Sequence, residues 1–184
     1  MPALWTVEYR PQGGGEAGAG DKPAAGAGES LQIRISRVDV RAPFDGERLA
    51  VMRADGSIAK DPLNSFAAPP ASLLRWAAVD AIGAMWKLRG NGAAASVIDR
   101  LSSASADYSI ELTVARLALD CRGGKPPKAS IALSAILMDG RKIVCKASGE
   151  AQADAVSGDY TAAFSQAFAA AMESLLSGMK IPES

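Results

Sequence analysis

The groups in this 184-residue chain that could do chemistry are two cysteines, scattered carboxylates and serines, and one glycine-rich run. Cys121 and Cys145 lie outside any CxxC spacing, so neither thiolate metal ligation nor a redox pair is indicated, and both read as packing residues. Asp61, Asp80, Asp99, Asp107, Asp120 and Asp139 are isolated acids at positions that read as turns, helix faces and strand ends. A general acid at neutral pH needs a carboxyl whose pKa is raised by an apolar pocket or a like charge, and no acid here stands in an apolar segment that would do so. The serines lack a GxSxG elbow. The absence of histidine removes Ser-His-Asp and Cys-His nucleophilic sites, imidazole zinc sites and histidine pH switching together. The run GGGEAGAGDKPAAGAG has no Lys-Ser/Thr ending and no helix pattern after it, so it is not a phosphate cradle. These residues predict a chain without catalytic, metal-binding or cofactor-binding side chains. A small hydrolase would need an activity that falls with mutation of a single acid or serine.

Composition narrows the classes further. Twenty Lys and Arg balance twenty Asp and Glu, with a pI near 6.3, so no overall field is present to hold a phosphate backbone, and nucleic acid is excluded as a partner. The charges are unevenly placed: residues 61–148 carry 11 Lys and Arg against 7 Asp and Glu, whereas residues 149–184 carry one Lys against five acids. Solvated strand and helix faces account for this, and so does docking to a protein partner. Arg75 and Asp80 interrupt the most apolar stretch, so no run of the length needed to span a membrane exists. A chain of 18.9 kDa buries roughly 70% of its unfolded surface, enough for a core without disulfides or metal. The whole of residues 1–184 therefore reads as one domain, with residues 11–30, which hold seven glycines, as a flexible loop.

The elements follow from periodicity. Residues 4–10 alternate as a half-buried strand with Trp5, Val7 and Tyr9 inward. Leu31, Ile33 and Ile35, then Val38 and Val40, predict a strand whose face shifts after Ser36, the mark of a bulge. Residues 47–60 read as a hairpin turning tightly at Asp55-Gly56, with a short second strand followed by an extended segment at 62–66. Pro69-Pro70, with Ser72 as cap, opens a helix striped by Leu74, Ala77, Ala81 and Met85 and ended by Gly90-Asn91-Gly92. Its Trp76 and Trp86 lie ten residues apart, about 80° around the axis; each reads as a core residue, set against the reading that so wide an apolar band leaves one ring at the sheet's edge, available to a partner. A short strand at 95–98 precedes a long one from Tyr108, phase-shifted between Val114 and Leu117, and then two more strands joined at Asp139-Gly140. In a simple meander Cys121 and Cys145 are separated by a central strand, beyond disulfide reach, whereas another strand order would bring them together. Tyr160, Phe164, Phe168, Ala171 and Leu175 mark a closing helix. The expected fold is α+β: a single, mainly antiparallel sheet with two amphipathic helices packed on it.

This order of motifs resembles the ABC-type transport auxiliary lipoproteins, the family of the paraquat-inducible outer-membrane lipoprotein of Gram-negative envelopes. The resembling residues are Leu4-Trp5-Thr6-Val7-Glu8-Tyr9, the strand at 31–40, the Pro43-Phe44 corner, Arg48-Leu49-Ala50-Val51-Met52-Arg53, and Phe66-Ala67-Ala68-Pro69-Pro70 before the helix. Leu119-Asp120, the Asp139-Gly140 hairpin and the Ala-rich helix with Phe164 and Phe168 complete the series. The resemblance implies a non-catalytic periplasmic lipoprotein, anchored to the outer membrane, that serves an ABC transport system for lipids or related apolar compounds. Its implied partners are an MCE-type substrate-binding protein and the cognate permease and ATPase, with self-association as a further option. It also implies a signal peptide and a lipobox cysteine encoded shortly upstream of Pro2. The alternative class is a structural envelope lipoprotein that assembles with itself or docks to a secretion channel. With no convergent polar cluster in the chain, binding is expected at a surface. The corner Pro43, Phe44 and Asp45 with Leu49 and Met52 is the expected contact region, set against the reading that Phe44 only plugs the core.

Overall fold

The computed structural model describes residues 3–5, 31–88, 95–98, 102–123, 126–156 and 160–179. The chain order is β1 (Ala3–Trp5), β2 (Leu31–Val40), β3 (Arg48–Met52), β4 (Ile58–Phe66), α1 (Pro70–Leu88), β5 (Ala95–Ile98), β6 (Tyr108–Asp120), β7 (Lys128–Asp139), β8 (Lys142–Asp154) and α2 (Tyr160–Gly178). The predicted elements at residues 6–30, including the Gly-rich loop, Val7 and Tyr9, lie outside the described residues, as do Gly90-Asn91-Gly92.

The strands form one eight-stranded sheet, and the α+β class with two helices is as expected. β6, β7 and β8 make the predicted antiparallel meander, which contains the longest pairings. The other edge of β6 is shared. β2 runs parallel along Tyr108 to Val114, and β3 runs parallel along Ala118 to Asp120. β5 adds to β2, also in parallel, while β4 adds antiparallel to β3 and β1 parallel to β4. The sheet is therefore mixed. The reason is the crossover made by α1, which returns the chain so that β5 and β6 run in the direction of β2.

Apolar phase shifts in the sequence become bulges. In β2 the register shifts between Ile35 and Arg37, so Ile33, Ile35 and Val38 are all buried despite the change of parity. In β6 it shifts between Val114 and Arg116, which returns Leu117 and Leu119 to the core face occupied by Ile110, Leu112 and Val114. Both helices lie on this face, where Ile35, Ile110 and Leu112 meet Ala78 and Ile82 of α1 and Met172 and Leu175 of α2. Phe164 packs edge-on against Phe66 at 6.2 Å.

Three local details differ from expectation. Helix α1 starts at Pro70, and the Pro69 carbonyl accepts the first helical bonds from Ser72 and Leu73, so Ser72 lies in the first turn and is not the cap. The Asp55-Gly56 connection spans three residues: Gly56 N–H donates to the Arg53 carbonyl, Arg53 N–H donates to Ser57, and Gly56 has φ 82°. This is a turn followed by a left-handed glycine bulge, not a two-residue primed turn. The second hairpin is centred one residue later than read, on Gly140-Arg141, with Asp139 paired to Lys142.

Candidate interaction surface

The corner between β2 and β3 is where the chain leaves one stretch of β6's edge before rejoining it. Arg41 N–H donates to the Val114 carbonyl, and Phe44 N–H donates back to the Arg41 carbonyl at 2.9 Å, closing a turn that contains a cis Ala42–Pro43 bond. Lys60 Nζ donates to the Pro43 carbonyl from β4, and Phe66 N–H donates to Glu47 at 2.7 Å. The corner is thus bound to β4 and β6 by main-chain groups, which fixes how its side chains point.

Those side chains divide. Phe44, 8% exposed, and Leu49, 1% exposed, belong to the core. Met52 is half-buried, and Pro43 and Asp45 are exposed. Of the five residues expected to form a contact region, then, Phe44 and Leu49 are committed to packing, and Pro43, Asp45 and part of Met52 are presented to solvent.

Beside them lies a feature missed in the sequence. β4 runs through to Phe66 instead of ending early, because the pairing jumps from Ala50–Lys60 to Arg48–Ser65 and the residues between loop out. Asp61 Oδ1 accepts from Leu63 N–H at 2.8 Å and from Asn64 N–H at 3.2 Å, and Oδ2 accepts from the Asn64 side-chain amide. This turn drives Leu63 outward to 71% exposure. The Asp61-Pro62 pair is a turn-initiating signal and could have located it. Ile58 on the same strand is also exposed.

Trp76 on α1 is 60% exposed, so for this ring the edge placement holds and not core packing. The Trp86 side chain lies outside the described residues. In a Trp5→Phe/Trp86→Phe variant, the remaining Trp76 should show red-shifted emission and quench readily with acrylamide, and bound partner should suppress that quenching. Strong protection of Trp76 in a proven monomer would contradict this placement.

Residues with chemical potential are otherwise engaged in structure. Asp120 is held below the usual carboxylate range chiefly by hydrogen bonds from the Arg122 guanidinium, which grips both its oxygens at 2.7 and 3.0 Å. Asp55 is lowered by its bonds to Ser57 at the hairpin turn. Both shifts are opposite to what a general acid requires. Burial, with a smaller contribution from the Asp120 charge, pushes the Cys121 thiol up, which makes it a poor nucleophile. Cys121 and Cys145 are both free, and β7 lies between their strands. Among the described residues, no three Cys, Asp or Glu side chains gather in a metal-binding group, and no helix is long and apolar enough to cross a membrane. The crevice between the helices and the sheet, lined by Ile35, Ala78, Ile82, Ile110 and Met172, encloses about 10 Å³, the scale of a single water, and is wholly apolar.

The chain has an α+β fold in which one mixed sheet carries both helices on a single face. Its likenesses to known proteins are at that level. A Xanthomonas campestris protein of the DUF330 family matches with a TM-score of 0.63 at 21% identity, over 97% of this chain and 93% of that one. An uncharacterised protein matches at TM-score 0.65 and 14% identity over 79% of this chain and 89% of its own. The PelC dodecamer from Paraburkholderia phytofirmans is more distant, with a TM-score of 0.48 at 14% identity over 88% of this chain and 96% of that chain. No protein-family model and no curated protein sequence matches the chain.

Proposed function

We propose that this protein is a non-catalytic accessory lipoprotein of the Gram-negative periplasm, anchored to the outer membrane, which docks to the MCE-type substrate-binding protein of an ABC system that moves lipids or related apolar compounds. The observation that carries this reading is the placement of the resembling motifs. The strand at 31–40, the Pro43-Phe44 corner, the Arg48–Met52 strand, the Phe66 to Pro70 helix entry and the closing Ala-rich helix fall in order on β2, the corner, β3, the start of α1 and α2. The exposed groups around the corner, Pro43, Asp45, Ile58 and Leu63, combine apolar and charged character in the manner of a small interface.

Capture tests it. The tagged chain and the MCE-type protein of the same genome, co-expressed and purified through the tag, should leave the column as a stoichiometric complex. Recovery of the chain with a secretion-channel protein and without the MCE-type protein would replace this reading with that of a structural envelope component.

A further inference from the structure

β8 is hydrogen-bonded along one side only. Its pairing with β7 runs its full length of thirteen residues, and among the described residues no strand pairs with its outer edge. An open edge of this length is a template for another strand unless it is blunted by proline, bulges or charge. β8 contains no proline, and its bulge lies near the start, between Ile143 and Cys145. What remains is charge, and here the charge has a pattern.

Beyond the bulge, side chains alternate. Gly149 and Ala153 turn inward, with Gly149 against α2, and Lys146, Ser148 and Glu150 are exposed on the other face. Ser148 stands midway between a lysine and a glutamate. In an antiparallel pairing centred on Ser148, Lys146 falls opposite Glu150 of the partner subunit, and Glu150 opposite the partner's Lys146, at the spacing where cross-strand charges interact. Any other strand would meet Lys146 as a blunting charge, whereas a second copy of this strand meets it with the opposite sign. Lys146 has no ion pair among the described residues, and Glu150 uses only one oxygen, toward Arg116 at 3.1 Å.

The helix above the edge leaves space for such a partner. α2 turns Met172, Leu175 and Leu176 toward the crevice it shares with α1. At 100° per residue the opposite flank carries Ala170, Ser174 and Gly178, which are half-buried or exposed. Gly178 lies over Ala147 of β8. A two-fold axis normal to the sheet at Ser148 would bring this flank toward its copy, and its small residues permit close approach.

We propose that the chain forms a two-fold dimer by antiparallel pairing of β8 with β8 of a second copy, with Ser148 opposite Ser148. Such an interface is isologous, so it closes on itself and extends the sheet continuously across two subunits. Register-specific cross-linking tests it. In a Cys121→Ser/Cys145→Ser background, Ser148→Cys places two thiols on directly opposed residues within disulfide reach. Lys142→Cys, the control, places its pair about 41 Å apart in the same dimer, twelve residues at 3.4 Å each. Mild oxidation should convert the Ser148→Cys protein to a reducible dimer at least about tenfold faster than the control, since only one pair is pre-aligned. Sedimentation of the unmodified chain should show a dimer. Lys146→Glu should weaken it by about tenfold to a hundredfold by setting like charges face to face, and Lys146→Glu/Glu150→Lys should restore it. Lys142, Lys146, Ser148 and Glu150 are exposed, so the changes there should leave far-UV circular dichroism and melting equal to those of the background each is made in: the Cys121→Ser/Cys145→Ser protein for the cysteine variants, the unmodified chain for the charge variants. A monomer at every concentration, equal cross-linking of the two cysteines, or a dimer indifferent to Lys146→Glu would overturn the proposal.

Discussion

Gly149→Ala should destabilise the protein by about 3 kcal/mol, although it adds one methyl group. A Cβ at Gly149 would lie 2.1 Å from the Ala171 carbonyl oxygen and 2.7 Å from the Leu175 nitrogen. Both are main-chain atoms of α2, so no rotamer change relieves the contact and the helix itself must lift. Lifting α2 loosens Phe164, Phe168 and Met172, which are among the most deeply buried side chains. Alanine's better fit to a strand recovers at most about 1 kcal/mol. Gly83, inside α1, supplies the contrast, because a methyl group added there would meet nothing within 4 Å. Gly83→Ala should stabilise by about 1 kcal/mol through helix propensity. Urea unfolding of both variants checks the pair, and a Gly149→Ala midpoint equal to that of the parent would mean that α2 does not rest on β8 as described.

The second large effect is expected at the corner. Phe44→Ala should cost about 3–5 kcal/mol, the range for a buried aromatic ring, while the folded fraction retains capture of the MCE-type protein proposed as partner. Leu63→Ser should do the reverse, staying within about 0.5 kcal/mol of the parent, as exposed positions do, and lowering capture. Thermal melts and co-purification read the two quantities separately. Near-normal stability with lost capture in Phe44→Ala would make the ring an interface anchor instead, and unchanged capture in Leu63→Ser would move the contact surface away from this edge and toward the helices.

Local patterns were legible in the sequence where one residue's parity decides a face. The phase changes at Ser36 and after Val114 announced both bulges, because a strand with one buried face cannot change parity without one. The two helices and the β6–β7–β8 meander followed from periodicity and from short Gly-containing turns that permit only antiparallel neighbours. Strand direction elsewhere was not legible. Nothing in the alternation of β2 or β3 tells whether β6 runs with them or against them, since side-chain period is the same in both cases. Gly149 is similarly silent: a glycine in an alanine-rich strand suggests a bulge, and only the position of α2 gives its reason. At the candidate surface, an aromatic after proline reads equally as an exposed anchor or as a plug of the core; the ring is buried, in a corner held by the main-chain bonds of Arg41 and Phe44 and by the Lys60 ammonium on the Pro43 carbonyl.

Because β2 and β3 both lean on β6, their pairings join parts of the chain far apart in sequence. β2 finds its partners only at β5 and β6, with Ile35 paired to Ile110 and Val40 to Val114, so loop closure across the intervening hairpin and helix must come first. The segment from β6 through α2 is different: its strands are sequential neighbours joined by short turns, and α2 covers β7 and β8 directly. The C-terminal half therefore holds the local contacts that can nucleate, and the N-terminal half docks onto the free edge that half provides. In a chain made from its amino end, β2 has no strand to pair with until β5 and β6 have followed it.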